Sequence, residues 1–282
     1  MLTKLNVFSS LGIAPALPAL EAGFIETDPV QILHIDGLNP VNASVNTVPY
    51  GSIDGSSHIG DTVTNRNIVL TLKSNPDWVL YTPAALRRLI YSYFMPKRPV
   101  KLIFESDDIV DVEISGIVES VSPNIFSKDL EIQVSIVCSK PHFSSTVLSE
   151  FSGSTIRYGG AAQDIPYNGN IEAGFTLRIT HTSGEIPNFI ELQIRNATIA
   201  YFRVNAGVDS TKRFEMSSIP LNKFVQNVRT VDSFVTNLLS QVSLANPQKW
   251  PTMQPGVNEF SVITDQGVQG WNLKFYERYG GL

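Results

Sequence analysis

The chain has 282 residues, of which 43% are hydrophobic, 10% aromatic and only 17% charged, with a net charge of −5. That length sits near the point, roughly 250 to 300 residues, at which a single core divides into two. The negative balance argues against a surface built to grip phosphate, which takes clustered Lys and Arg, and a lone cysteine, Cys138, excludes an internal disulfide framework and a multi-cysteine zinc site.

The first element in chain order is apolar. Leu11 to Leu20 has the composition of a signal-peptide core, but Pro15 and Pro18 break the helix such a core needs, and no small-residue cleavage pattern follows. Residues 1–28 are therefore read as an extended N-terminal arm. No stretch reaches the ~20 uninterrupted apolar residues of a membrane span, so no membrane partner is expected. From Pro29 to Asn75, short β-prone runs alternate with turn signals at Asp36-Gly37, Asn39-Pro40 and Asp54-Gly55. Ile68, Leu70 and Leu72 share one side of a strand, opposite Asn67, Val69 and Thr71.

A helix is predicted over about Thr82 to Phe94. Thr82 is its N-cap, Pro83 fits the first helical position, and Leu86, Leu89, Ile90, Tyr93 and Phe94 form one apolar stripe that ends before Pro96. Arg87 and Arg88 fall off that stripe. Three strands follow, Val100 to Glu105, Val110 to Val118 and Leu130 to Ser139; in the last, Leu130, Ile132, Val134, Ile136 and Cys138 share one face. Ser106-Asp107-Asp108 and Ser127-Lys128-Asp129 read as tight turns.

Ser, Thr and Gly dominate from Ser144 to Gly160, and the apolar period is lost. A first domain over 29–145, a linker over 146–160 and a second domain over 161–282 follow from that shift. The second domain is again β-rich: Phe175, Leu177 and Ile179 alternate in one strand, and Ile190, Leu192 and Ile194 in another. Ile199 to Val204, Glu259 to Thr264 and Trp271 to Tyr276 add three more. Val231, Phe234, Val235, Leu238, Leu239 and Val242 recur at helical offsets, and periodicity predicts a helix there.

Residues that could carry chemistry are few. Asp107, Asp108, Asp111 and Glu113 form an acidic cluster, but Asp111 and Glu113 alternate with Val110, Val112 and Ile114, which puts them on the solvent side of a hairpin edge where charge discourages edge-to-edge pairing. Their spacing lacks the regular ligands and sharp Gly of a calcium loop. Cys138 ends an apolar strand face, unlike a reactive thiol, so a Cys138–His142 nucleophile pair is rejected. His34, His58 and His181 have no paired-His spacing for zinc. Gly159-Gly160 precedes no helix and makes no phosphate cradle, and nucleophile-elbow, Walker and dinucleotide patterns are absent. Tyr158, Tyr167, Trp250 and Tyr279 could stack on sugars or serve core and interface. No enzyme and no cofactor are expected.

The order of elements adds a resemblance. Lys97-Arg98-Pro99-Val100-Lys101-Leu102-Ile103-Phe104, Ser115-Gly116-Ile117-Val118, Pro123-Asn124-Ile125-Phe126 and the strand to Cys138 closed by Pro141-His142-Phe143 resemble the distal tail protein family of tailed bacteriophages. Ile35-Asp36-Gly37, Asp54-Gly55 and Asn65-Arg66-Asn67-Ile68 fit upstream; Pro255-Gly256-Val257-Asn258 and Tyr279-Gly280-Gly281-Leu282 fit downstream. The arm and the apolar repeat after Val231 are departures. The resemblance implies a mainly β chain with an N-terminal ring-forming domain, of β-sandwich or split-barrel type with one covering helix, and a C-terminal galectin-like β-sandwich. It also implies a homohexameric ring at the distal end of the virion tail, made in the host cytoplasm, joining the tail tube protein to baseplate hub, fibre or receptor-binding proteins while DNA passes through without specific binding. Asp107, Asp108 and Asp111 would then face the lumen or the next subunit. A host-carbohydrate adhesin acting through the C-terminal sandwich is the alternative.

Overall fold

The computed structural model describes residues 2–9, 19–51, 53–76, 82–107, 110–124, 130–155, 161–196, 199–243 and 250–282. The chain divides into two units, Met1–Thr146 with Tyr279–Leu282, and Val147–Arg278.

In the first unit the strands are β1 (Leu2–Ser9), β2 (Leu20–Gly23), β3 (Val30–Asp36), β4 (Ala43–Pro49), β5 (Ser56–Val63) and β6 (Arg66–Ser74). Helix α1 (Pro83–Tyr93) follows, then β7 (Pro99–Ser106), β8 (Val112–Pro123), β9 (Glu131–Cys138) and β10 (Phe143–Ser145). Seven of these strands run β1-β2-β3-β6-β9-β8-β7 and return to β1, closing a barrel. Pairing is antiparallel except between β2 and β3. Period-two burial places Leu5 and Val7, Ile68, Leu70 and Leu72, and Ile132, Val134 and Ile136 inside, with Ile68, Leu70 and Leu72 opposite Ile136, Val134 and Ile132. Burying such side chains is worth about 1.5 to 3 kcal/mol each before chain entropy is counted.

The sandwich or split barrel expected from sequence is thus a closed barrel, and β8 is the reason. Its first half pairs with β7, from Val112 opposite Phe104 to Ile117 opposite Pro99, and its second half with β9, from Ile117 opposite Val137 to Pro123 opposite Ile132. A register shift between Val118 and Ser120 bends the strand around the corner. Gly116 sits at that corner, where a Cβ would lie 2.6 Å from Ile136 Cγ2 and 2.8 Å from Cys138 Sγ.

The extended arm is also corrected. β1 is an interior barrel strand between β7 and β2, because Leu5 and Val7 are wholly buried; the intervening residues 10–18 lie outside the described residues. The helix is where the pattern put it: Thr82 Oγ1 accepts from Ala85 N at 3.3 Å, and Leu86, Ile90, Tyr93 and Phe94 are buried in the barrel core.

In the second unit come β11 (Ser149–Ser154), β12 (Gln163–Tyr167), β13 (Thr176–Ser183), β14 (Ile190–Arg195), β15 (Ile199–Val204), β16 (Lys212–Ser217), β17 (Phe224–Arg229) and β18 (Val235–Asn237). A short 3-10 turn (Leu239–Gln241), β19 (Gly256–Thr264) and β20 (Val268–Phe275) complete it. A six-stranded sheet, β11-β20-β13-β16-β17-β18, and a four-stranded sheet, β12-β19-β14-β15, share one core. Phe260 of one sheet meets Trp271 of the other at 4.9 Å between ring centroids. That is a two-sheet sandwich. The expected linker over 146–160 is in part strand, since β11 pairs with β20 over its whole length.

The helix expected from Val231 to Val242 is not formed. Val231 is 87% exposed, Phe234, Val235 and Leu239 are also exposed, and Leu238 is buried in the core with Val242 packed against its edge. Asp232 supplies the local alternative, its Oδ1 accepting from Phe234 N at 3.0 Å, which turns β17 into β18. Finally β21 (Arg278–Tyr279) pairs beside β10 and carries the chain back to the first unit.

Candidate functional site

The acidic cluster resolves into different jobs. Asp107 is exposed in the turn after β7, and Asp108 lies outside the described residues. Asp111 is part of the hairpin's closure: its Oδ1 accepts from Ser106 N at 3.4 Å, and its carbonyl accepts from Thr146 N at 2.9 Å and Thr146 Oγ1 at 3.1 Å. Glu113 pairs with Lys101 across the strands at 3.0 Å. Among the described residues no group of His, Cys, Asp or Glu is placed to hold a metal ion.

Cys138 is buried on the barrel's inner face, and burial pushes its pKa from an ordinary 9.0 up to about 11 although the Arg66 charge pulls the other way. A thiol so placed stays protonated and is no nucleophile. His34 and Asp36 make an exposed pair at 2.8 Å, His58 is exposed, and His181 Nδ1 lies 3.2 Å from Gln269 Nε2. Tyr167 is buried, its hydroxyl donating to Ile171 O and accepting from Arg278 N at 2.9 Å; burial pushes its pKa up to about 12. Tyr279 is buried against the barrel core and Trp250 packs on Phe202, so these rings are occupied; Tyr158, like Gly159-Gly160, lies outside the described residues.

Two features were invisible in the sequence. The first is Arg66, 2% exposed. Its guanidinium donates to the backbone carbonyls of Gly37, Asn39 (2.8 Å), Pro141 (2.5 Å) and Gly280, and lies over the Phe143 ring at 4.4 Å. Burial lowers its pKa. One side chain thereby ties the loop after β3, the turn before β10 and residue 280 together. Gly37 permits the loop to come so close, with φ +87° and space so tight that a Cβ would sit 2.0 Å from Asn67 O.

The second is a polar row across the outer face of the six-stranded sheet. Register aligns Ser152, Asn272, Arg178, Glu215 and Gln226 on consecutive strands. Arg178 and Arg213 reach Glu215 Oε1 at 3.2 and 2.7 Å, and Gln226 donates to Oε2 at 3.2 Å. Burial opposes the Glu215 carboxylate, but the hydrogen bonds of Arg213 and Gln226 and the charges of Arg213 and Arg178 outweigh it and hold its pKa low. Asn272 and Lys274 do the same for Glu150, at 2.7 and 3.1 Å. A shallow pocket of about 270 Å³ opens among Arg178, Glu215, Phe224, Asn272 and Lys274. Each strand's alternation was legible, but the cross-strand register that assembles the row was not.

The elements form a closed barrel and a two-sheet sandwich, and among the described residues their polar groups serve turns, ladders and open surfaces. Residues 20–115 match the family of phage tail protein RIFT-related domains. No curated protein matches by sequence. Among solved structures, the SPP1 Dit protein, described as a paradigm of the hub adsorption apparatus in phages infecting Gram-positive hosts, superposes with a TM-score of 0.64 at 14% identity, covering 97% of this chain and 98% of its own. Two structures of the phage p2 baseplate in its activated conformation, with Ca and with Sr, align at 9% identity over 97% and 96% of this chain and 98% and 97% of theirs; TM-scores of 0.45 and 0.43 support no argument. Residues 20–115 thus carry a phage tail protein RIFT-related domain, and the chain as a whole has the fold of the SPP1 Dit protein.

Proposed function

We propose that this protein sits at the distal end of the tail and closes a homohexameric ring that joins the tail tube protein to hub, fibre or receptor-binding proteins. The barrel unit builds the ring, the galectin-like sandwich meets partners, and DNA passes through the lumen ungripped. The observation that carries this reading is the likeness to SPP1 Dit over both units at once, together with the phage tail domain in the first. A net charge of −5 agrees with a lumen wall that repels phosphate. Native mass spectrometry of the purified chain tests it: a mass of six copies is expected, and a monomer at every concentration rejects it.

The acidic turn belongs to the same proposal. Asp107 and Asp111, with Asp108 between them, face the lumen or the next subunit. Reversing them to Lys is expected to slow DNA ejection or disturb ring closure; wild-type infectivity with intact rings would sink the idea.

A second reading is favoured by the pocket beside Phe224, where an aromatic edge adjoins Arg178, Asn272 and Glu215. Such a set suits the hydroxyls and apolar face of a sugar, and makes the sandwich a glycan reader at the host wall. Binding on a glycan array, abolished by Arg178→Ala, is the expected sign, and a blank array rejects it.

A further inference from the structure

The β4–β5 hairpin is a sheet of its own, with both edges open. Every described residue from Asn42 to Asn65 is exposed except Gly60, which is half-buried. Yet the hairpin is not polar: Val45, Val48, Tyr50, Ile53, Ile59 and Val63 are all exposed, Ile53 to 75%. A two-stranded hairpin in water is marginal, and an open apolar edge is a hazard that proteins usually blunt with Lys. Here no Lys or Arg occurs from Gly37 to Asn65, while Asp54 and Asp61 do. Register puts Asp61 opposite Val45 and Val63 opposite Ala43, so a carboxylate sits among valines on one face.

The opposite composition surrounds α1. From Thr82 to Phe104 there is no Asp or Glu, but there are Arg87, Arg88, Lys97, Arg98 and Lys101. Lys101 is paired with Glu113 and Arg98 donates to Ser92 O, whereas Arg87, Arg88 and Lys97 form no ion pair among the described residues. Met95 is exposed beside them, and Leu89 and Tyr91 are half-buried. Arg88, Lys97, Asp54 and Asp61 are exposed and Arg87 is half-buried, its Nε without a hydrogen-bond partner, and among the described residues no ion pair joins the hairpin to these basic side chains.

We propose that the β4–β5 hairpin of one copy docks on the basic surface of α1 and the segment to Lys97 of the next copy, Asp54 and Asp61 meeting Arg87, Arg88 and Lys97 while the exposed aliphatic side chains cover Met95. The contact is heterologous, hairpin to helix, the kind that closes a ring when the rotation fits. It rests on the ring reading and names its seam. Opposed charges also fix which surfaces meet, since like charges at such a seam are costly.

The test uses the full chain and native mass spectrometry across a dilution series, with circular dichroism to verify that each variant is folded. Asp54→Lys with Asp61→Lys is expected to raise the concentration at which rings dissociate about tenfold or more, and Arg87→Glu with Arg88→Glu to do the same. All four changes together should restore assembly toward wild type. Wild-type rings alongside unaffected rings of the Asp54/Asp61 variant would overturn the seam and leave the ring standing, as would failure of the fourfold variant to recover. A wild-type chain that is monomeric at every concentration would remove both.

Discussion

Arg66 is a charge without a carboxylate: its donors go to backbone carbonyls and its face to Phe143. Removing it leaves several buried acceptors unsatisfied, at about 1 to 3 kcal/mol each, so Arg66→Met is expected to lower the urea midpoint of the first unit by an amount equivalent to at least about 3 kcal/mol. Arg66→Lys should rescue little, since an ammonium cannot span the same fork. Cys138 gives a pH prediction. Its folded pKa, about 11, lies above the ordinary 9.0, so the unfolded chain loses the proton first and the stabilising effect is full below pH 9 and lost as pH rises toward 11. Thermal unfolding should show a decline over that window that Cys138→Ala makes shallower, the remainder coming from buried Tyr167, and the native thiol should resist alkylation at pH 8 until denaturant is added. Cys138 was readable as a core residue because its strand alternates. Arg66 was not, because nothing local says that Gly37, Pro141 and Gly280 will converge on it.

Elements were legible where a single period governed them. α1 carries its cap, its stripe and its stop within a few residues, and β9 alternates throughout. β1 was missed because the apolar run broken by Pro15 and Pro18 after it makes the whole segment read as an arm, and its partner β7 lies far along the chain. The stretch from Val231 to Val242 had helical offsets, but only its far end, Leu238 and Val242, meets a core, and the exposed Val231 and Phe234 gave way to the turn built on Asp232. β8 is the element whose bend closes the barrel. Gly116→Val is expected to destabilise the first unit by about 1 to 3 kcal/mol through overpacking against Ile136 and Cys138, measurable as a shift of the denaturant midpoint with little change in slope. An unshifted midpoint would show that the corner has more room than the Ile136 and Cys138 distances allow.

At the scale of the molecule, the composition changes close to where the second unit begins at Val147, but nothing in the sequence shows how the chain returns from it. The second unit is an insertion: the chain leaves the barrel after β10 and re-enters through β21, and those two strands are neighbours. Joining Thr146 directly to Tyr279 through a short Gly-Ser turn is therefore expected to give a folded barrel with a single cooperative unfolding transition, read by circular dichroism; an unfolded product would mean that the barrel depends on the sandwich. Because Gly280 supplies one carbonyl to Arg66 and Leu282 N donates to Leu38 O at 3.0 Å, the same arrangement sets an order of events during synthesis. The first strands leave the ribosome early but cannot complete their domain until the whole sandwich has been translated, a wait on the order of 10 s at about 5 to 20 residues per second. Sequence order alone thus makes the barrel the last part of the chain to close, although its strands are the first to be synthesised.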